Sequence, residues 1–264
     1  MRNLEIEDTL LQLDFKIQSA QIKLTKPSES VLILAGLATK CRSHCHMARE
    51  LIISDALAES VIVLRAAYEA AILALYLQQN PNKIQRYLIY SALTTLRNQL
   101  ELLEILGRDG NVIPGEAEQR KYISNQKQTI VLSGILSEFK LIPEDLDDWQ
   151  KIKKYTNNAH FMKFEDLRTN IIKDETTKTL FETGFQVYNL GSQMAHSNFD
   201  MVNVMIYRNA PHPLYGEHAM YRQILSLLNA SAKTLHFCKI ISNEDRNQIF
   251  DLCLAVGLEL NSAN

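Results

Sequence analysis

Two opposite charges, Arg65 and Glu69, lie in the middle of a segment from residue 57 to 77 in which Glu59, near its start, is the only other charge. Residues four apart share one face of a helix, so the two side chains can pair. Burying an unpaired charge costs several kcal/mol, so the charges must pair with each other, lie at a wet cavity, or both. Two interpretations remain open. The pair is either a buried ion pair that orients a helical bundle, or Glu69 orients the Arg65 guanidinium toward an anion such as a phosphate.

A second group of polar side chains repeats every four residues, at Tyr188, Ser192 and His196, and Ser197 follows directly. On a helix these side chains form one stripe, which packs poorly in a core unless its groups are hydrogen-bonded. Imidazole titrates near neutrality, so His196 is a candidate general acid or base. The alternative is a structural histidine, or one that the macrodipole favours at a helix end.

A third group, Cys41, His44 and Cys45, places zinc-type ligands on one helical face. A single helix rarely supplies three zinc ligands, and a free cysteine is commonly just a small buried hydrophobe. We therefore predict no metal and no cofactor, and keep these residues as a weak metal candidate. His46, on the same predicted helix, is expected to line the pocket of Arg65, because the two helices are neighbours in the sequence.

The composition favours long helices, because only 9 glycines and 6 prolines occur in 264 residues. The net charge of −2 gives no global basic signature for nucleic-acid binding. The usual motifs of P-loop, dinucleotide-binding, serine-hydrolase and zinc-protease classes are absent from the sequence.

The location that the sequence favours is the cytoplasm. The beginning of the chain has no apolar signal-like stretch, and four cysteines in a helix-rich chain suggest free thiols in a reducing compartment. The segment 57–77 is long enough to span a bilayer. Charges at its centre would be expensive in lipid, so we interpret it as a buried core helix and expect no membrane contact.

Apolar periodicity and breakers such as Asn80-Pro81-Asn82 predict an all-α, multi-helix bundle without strands. We expect a single domain over 1–264, with a core at about 28–200 and C-terminal helices at 215–259 packed on that core. If the chain had a domain boundary, the loop at 107–115 would be the candidate. Ser54-Asp55 is the predicted cap of the central helix. The predicted helices are 5–24, 28–53, 57–78, 83–106, 116–139, a shorter helix after Pro143, 176–198, 215–240 and 244–259.

The succession of these features resembles a group of bacterial all-helical proteins known only as domains of unknown function, which are similar to the HEPN superfamily. The resemblance covers about residues 40–200. It rests on the Arg65-x-x-x-Glu69 pair in a small-residue helix, the Leu/Tyr-rich helix after an Asn-Pro turn, a lone Trp149 in a polar segment, and the Tyr188-x-x-x-Ser192-x-x-x-His196-Ser197 ending.

The resemblance implies a HEPN-like helical core, often dimeric, and a metal-independent RNA endonuclease acting in phage defence, as a toxin, or in stress. It would make His196 the acid/base residue, Arg65 the phosphate-stabilising residue and Glu69 the residue that orients it, with Tyr188 and Ser192 lining the pocket. RNA, a second copy in a homodimer, and a protein partner such as an antitoxin are the expected partners. The alternative is a non-catalytic helical module that binds a partner protein or a small ligand.

The chain departs from the usual HEPN motif in one respect. That motif places Arg and His on one helix with four to six residues between them, and no stretch of this sequence fits it. Arg42 and His46 are separated by only three residues, as are Arg208 and His212. A nuclease built from this chain would have to assemble its arginine and its histidine from different helices.

Overall fold

The computed structural model describes residues 28–107, 115–158 and 217–262, together with Lys178, Gly184, Tyr188, Asn189, Gly191, Ser192 and single residues between Asp8 and Ser19. Within these ranges every regular element is helical and no strand occurs, which confirms the predicted all-α class. The α-helices are α1 (Glu29–Ile53), α2 (Leu57–Gln79), α3 (Ile84–Gly107), α4 (Glu116–Leu132), α5 (Trp149–Asn158), α6 (Glu217–Phe237) and α7 (Asn243–Ser262).

The chain divides into two compact units. The single domain over 1–264 stays a prediction. Unit 1 comprises residues 1–81 and 167–264, and unit 2 comprises residues 82–166. The loop at 107–115, the candidate domain boundary, lies inside unit 2.

Unit 1 is built around α2, which packs against α1 and α6. The three-residue link between α1 and α2 makes them antiparallel neighbours. Alanines at Ala67, Ala70, Ala71 and Ala74 are buried along α2 and allow close helix packing. Helix α6 also contacts α1, where the Ser231 hydroxyl donates to the carbonyl of Ala38 at 2.9 Å. The C-terminal helix α7 then packs on α6.

Helix α2 is long and apolar enough to cross a membrane, by length and composition alone. In this structure 61% of its most apolar 18-residue window is buried inside the chain. Core helices pass the same criterion, so the finding is weak evidence for a membrane span.

The turn between α1 and α2 corrects the predicted cap of the central helix. Ser54 ends α1, where its backbone N–H bonds the carbonyl of Glu50, and Asp55 adopts a left-handed φ of 59°. The N-cap of α2 is instead Ala56, which has no side chain able to cap. The pair Ser54-Asp55 therefore terminates one helix rather than starting the next. Ser28 caps α1, where its side chain accepts from the backbone N–H of Val31.

Unit 2 packs α3 against α4 and α5 over its own apolar core. Helix α4 ends at Leu132, earlier than the predicted 139, because Gly134 adopts a φ of 72° that turns the chain. Asp148 caps α5 by accepting from the backbone of Gln150 and Lys151. The fully or nearly fully buried core residues are Ile89, Leu93, Leu96, Ile123, Ile130, Leu136, Phe139, Leu141, Leu146 and Ile152.

Candidate functional site

Arg65 and Glu69 form the predicted ion pair on α2, which confirms that they bond each other. The Arg65 Nε donates to Glu69 Oε1 at 3.0 Å. The pair is less buried than the sequence suggested, since the side chain of Arg65 is 24% exposed and that of Glu69 is 48% exposed. Both charges therefore lie on the wetter side of a helix whose other faces are mostly buried.

Tyr188 covers the guanidinium of Arg65. The Arg65 Cζ lies 5.1 Å from the centroid of the Tyr188 ring, within the range of a cation–π contact. The same ring lies 6.3 Å from the ring of Tyr68, at an interplanar angle of 50°. Tyr68 is almost completely buried, and this burial, followed by the proximity of Tyr188, raises its pKa. Tyr188 thus contacts one buried ring and one partly exposed cation on consecutive turns of α2.

Two glycines bring the segment of Tyr188 close to α2. A Cβ atom placed on Gly191 would lie 2.8 Å from the Cβ of Arg65 and 2.9 Å from the carbonyl oxygen of Val61. A Cβ placed on Gly184 would overlap the ring of Tyr68. Carbon atoms in contact normally lie about 3.5–4.0 Å apart, so neither position has room for a side chain. Gly184, Tyr188 and Gly191 are helical and are spaced by four and three residues, as expected for one face directed at α2.

Of the remaining members of the predicted polar stripe, the structure describes Ser192. Ser192 is helical and partly buried, directly after Gly191. His196 and Ser197 lie outside the described residues. The structure therefore brings Arg65, Glu69 and Tyr188 together, and their relation to the predicted acid/base residue stays a prediction.

The bond to Glu69 engages only one nitrogen of the Arg65 guanidinium. Among the residues that the structure describes, Glu69 is the acceptor bonded to Arg65, through Nε. The two terminal nitrogens carry further N–H donors, and guanidinium donors suit the oxygens of phosphates and carboxylates. An arginine that is oriented by a carboxylate and an aromatic ring can present those donors to an anion without first being ordered.

A comparison with protein-family models finds a match over residues 31–210 to a family of unknown function, DUF5677. The match covers more than half of the chain. The chain belongs to the DUF5677 family. Neither the curated proteins nor the solved structures contain a match.

The part of the chain that matches the DUF5677 model includes every residue of the predicted site, from Cys41 to Ser197. Helices α6 and α7 follow the matched region. The matched region contains α1 from its third residue, α2 to α5, and the segment that carries Tyr188, so it includes residues of both units.

Among the described residues of this DUF5677 member, the side chains of the weak metal candidate have other partners. Cys41 is buried and its thiol donates to the carbonyl of Leu227 at 3.5 Å. His44 instead bonds through Nδ1 with the carbonyl of Lys40 at 2.7 Å. Burial, followed by its interaction with Cys41, raises the pKa of the Cys45 thiol, which disfavours the thiolate that metals bind. In the described parts of the chain no three His, Cys, Asp or Glu side chains converge as metal ligands.

His46 lies in a different cluster from the one predicted. Its Nδ1 is 3.7 Å from the carboxylate of Asp14, which also accepts from Arg42 at 2.6 Å. With Asp14 and Arg49 it lines a cavity of about 10 Å³, which can hold about one water molecule. Among the described residues, the charged partner of His46 is Asp14 rather than Arg65 or Glu69. The helical spacing of Arg42, His46 and Arg49 on α1 is the sequence signal for this cluster.

Proposed function

We propose that this chain binds RNA at Arg65 and cleaves it without a metal ion, as a HEPN-like effector in phage defence or stress response. One observation carries the proposal: Arg65 is held by Glu69 and by the ring of Tyr188 at a partly exposed position, and no residue that the structure describes accepts from its terminal nitrogens. A structural ion pair would need no aromatic ring on the guanidinium.

In the proposed reaction the ribose 2′-oxygen attacks the adjacent phosphorus and the bond to the 5′-oxygen breaks, which yields a 2′,3′-cyclic phosphate. The base removes the proton of the 2′-hydroxyl, and an acid returns a proton to the leaving 5′-oxygen. We assign the proton transfers to His196, because an imidazole can serve in either form near neutral pH. Arg65 would stabilise the charge that develops on the phosphoryl oxygens.

The supporting residues have distinct roles in this proposal. Glu69 holds the Nε edge of Arg65, and Tyr188 limits rotation of the guanidinium plane. Holding the donors in place before the reaction avoids reorganisation in the transition state, which is the source of their catalytic value. Ser192 and Ser197 would supply further hydrogen bonds to the substrate.

Cleavage of total RNA by purified protein in the presence of EDTA tests the proposal. We expect cleavage by the wild type and a loss of cleavage in His196→Ala and in Arg65→Gln. His44→Ala serves as the matched control, because His44 bonds only the backbone of its own helix among the described residues. Equal cleavage by wild type and His196→Ala would refute the assignment of His196, and dependence of cleavage on a divalent metal would refute the mechanism.

A non-catalytic binding module is the second candidate, and the exposure of the pair favours it. Because 48% of the Glu69 side chain is exposed, an incoming ligand can reach both the carboxylate and the neighbouring guanidinium. Such a site anchors an anionic group of a partner or small ligand without acid/base chemistry. Binding of labelled single-stranded RNA that depends on Arg65, with no cleavage by any variant, would support this candidate over the nuclease.

The proposal also includes a location and partners. The four cysteines are free, in keeping with a reducing cytoplasm. A homodimer, and a protein partner such as an antitoxin, remain proposals that follow from the HEPN resemblance. Light scattering on the purified chain distinguishes a monomer from a dimer, and a monomer at micromolar concentration would contradict the dimer.

A further inference from the structure

Gly191 lies at a close approach between α2 and the segment of Tyr188. The space that its side chain would need is taken by the Cβ of Arg65 and by the backbone carbonyl of Val61. The Cδ of Arg65 lies only 3.4 Å from the same point, so the aliphatic stem of the arginine runs along Gly191. Because one of these neighbours is backbone, rotation of a side chain cannot make room.

The guanidinium of Arg65 lies against Tyr188, one helical turn before Gly191. Tyr188 precedes Gly191 by three residues, so both residues face α2 together. The stem of Arg65 rests on Gly191 and its guanidinium lies 5.1 Å from the Tyr188 ring centroid. The distance between the two helical segments at Gly191 therefore sets how Arg65 meets the ring.

We infer that Gly191 is a positioning residue, which acts through Arg65 by letting its stem lie against the helix that carries Tyr188 and Ser192. Glycine weakens a helix relative to alanine, so its presence here needs a compensating contact. The close approach supplies that contact, because only glycine lets a backbone come so near. The consequence for RNA rests on the proposed function, whereas the placement of Arg65 does not.

Chemical modification of arginine measures this placement directly. Phenylglyoxal is allowed to react with the native protein, and the modification of Arg65 is followed by peptide mass spectrometry. Arg120, whose side chain is 66% exposed, serves as the reference in the same sample. In Gly191→Ala we expect the rate at Arg65 to rise severalfold, toward that of Arg120. Gly36→Ala is the matched control, since a Cβ on this glycine of α1 meets nothing within 4 Å, and it should leave the rate at Arg65 unchanged.

A rate at Arg65 equal to that of the wild type, in a folded Gly191→Ala protein, would overturn the inference. If Gly191→Ala does not fold, a measurement on the wild-type protein tests the inference instead. With selective carbon-13 labelling of glycine and arginine, a strong nuclear Overhauser effect is expected between the Gly191 Hα protons and the Arg65 Hβ protons. Its absence would equally overturn the inference.

An RNA measurement on the same variants separates this inference from the proposed function. A displacement of about 1 Å at a reacting group can cost roughly 10²-fold in rate, so Gly191→Ala should lose about that much cleavage of total RNA. Faster modification of Arg65 together with undiminished cleavage would retain Gly191 as a positioning residue and remove Arg65 from the reaction. Faster modification with no cleavage by any form, including the wild type, would reject the nuclease alone.

Discussion

Replacing Arg65 with glutamine separates stability from function. Glutamine keeps the first carbons of the stem beside Gly191 and removes the guanidinium from Glu69 and Tyr188. An exposed i,i+4 ion pair contributes about 0.3–0.5 kcal/mol. A partly exposed cation–π contact contributes about 0.5–1 kcal/mol. The free energy of unfolding should therefore fall by only about 1 kcal/mol, and the protein should stay folded.

The loss of activity should be much larger than this loss of stability. Removing one donor that stabilises a developing oxyanion costs about 10²–10³-fold in rate. Urea unfolding, followed by far-UV circular dichroism, measures the first quantity, and cleavage of total RNA with EDTA measures the second. Arg120→Gln is the matched control, because Arg120 also forms an i,i+4 pair, with Glu116 in the reverse order along the helix, at an exposed position of α4.

Two results would refute the reasoning about Arg65. A fall of more than about 3 kcal/mol in the free energy of unfolding would be the behaviour of a broken buried pair, and would mean that the pair holds the core together. Unchanged cleavage and unchanged RNA binding in Arg65→Gln would mean that the available donors contact no substrate.

Three further predictions concern the core. Burial raises the pKa of Tyr68, so the folded state keeps the phenol proton at a pH where the unfolded chain loses it. The free energy of unfolding should therefore fall above pH about 10, and less steeply in Tyr68→Phe. Urea midpoints at several pH values test this. Burial raises the pKa of Cys238 to about 11 and that of Cys253 to about 12. Both thiols should therefore resist iodoacetamide at pH 8 until urea is added, and rapid labelling of the native protein would contradict this. Leu93 is fully buried in unit 2, so Leu93→Ala should cost about 2–5 kcal/mol in urea unfolding, and a loss below 1 kcal/mol would argue against the described packing.

Most helix positions could be predicted from the sequence, because their ends carry local signals. Ser28 caps α1 and Asn80-Pro81 ends α2, and both signals act within a few residues of the chain. Ser54-Asp55 shows the limit of such signals. Serine and aspartate serve at both ends of helices, and the φ of 59° at Asp55 decides that they close α1. The early end of α4 depends in the same way on the φ of Gly134.

Contacts within one helix could be predicted from the sequence, because they depend on local spacing. Contacts between helices could not, because they depend on how distant segments pack. The pairing of Arg65 with Glu69 follows from their separation of four residues. Nothing local indicates that Tyr188 covers Arg65, or that His46 turns to Asp14. A usable signal was present at Gly191, since a glycine within a predicted helix often marks a close approach.

The exposed position of the Arg65–Glu69 pair on α2 removes one question, the cost of buried charges, and raises another, the purpose of the further contacts on Arg65. The sequence alone suggested two charges trapped in an apolar core, a costly arrangement that would demand a partner for each charge. With Glu69 48% exposed, most of that cost disappears and an ordinary ion pair would suffice. An ordinary pair, however, needs neither a ring over the cation nor a glycine beneath its stem. Arg65 has both, from Tyr188 and Gly191, which lie far from it in the sequence. Three contacts on one arginine fix its direction, and none of the described residues accepts from its terminal nitrogens. The proposed phosphate contact requires such an arrangement.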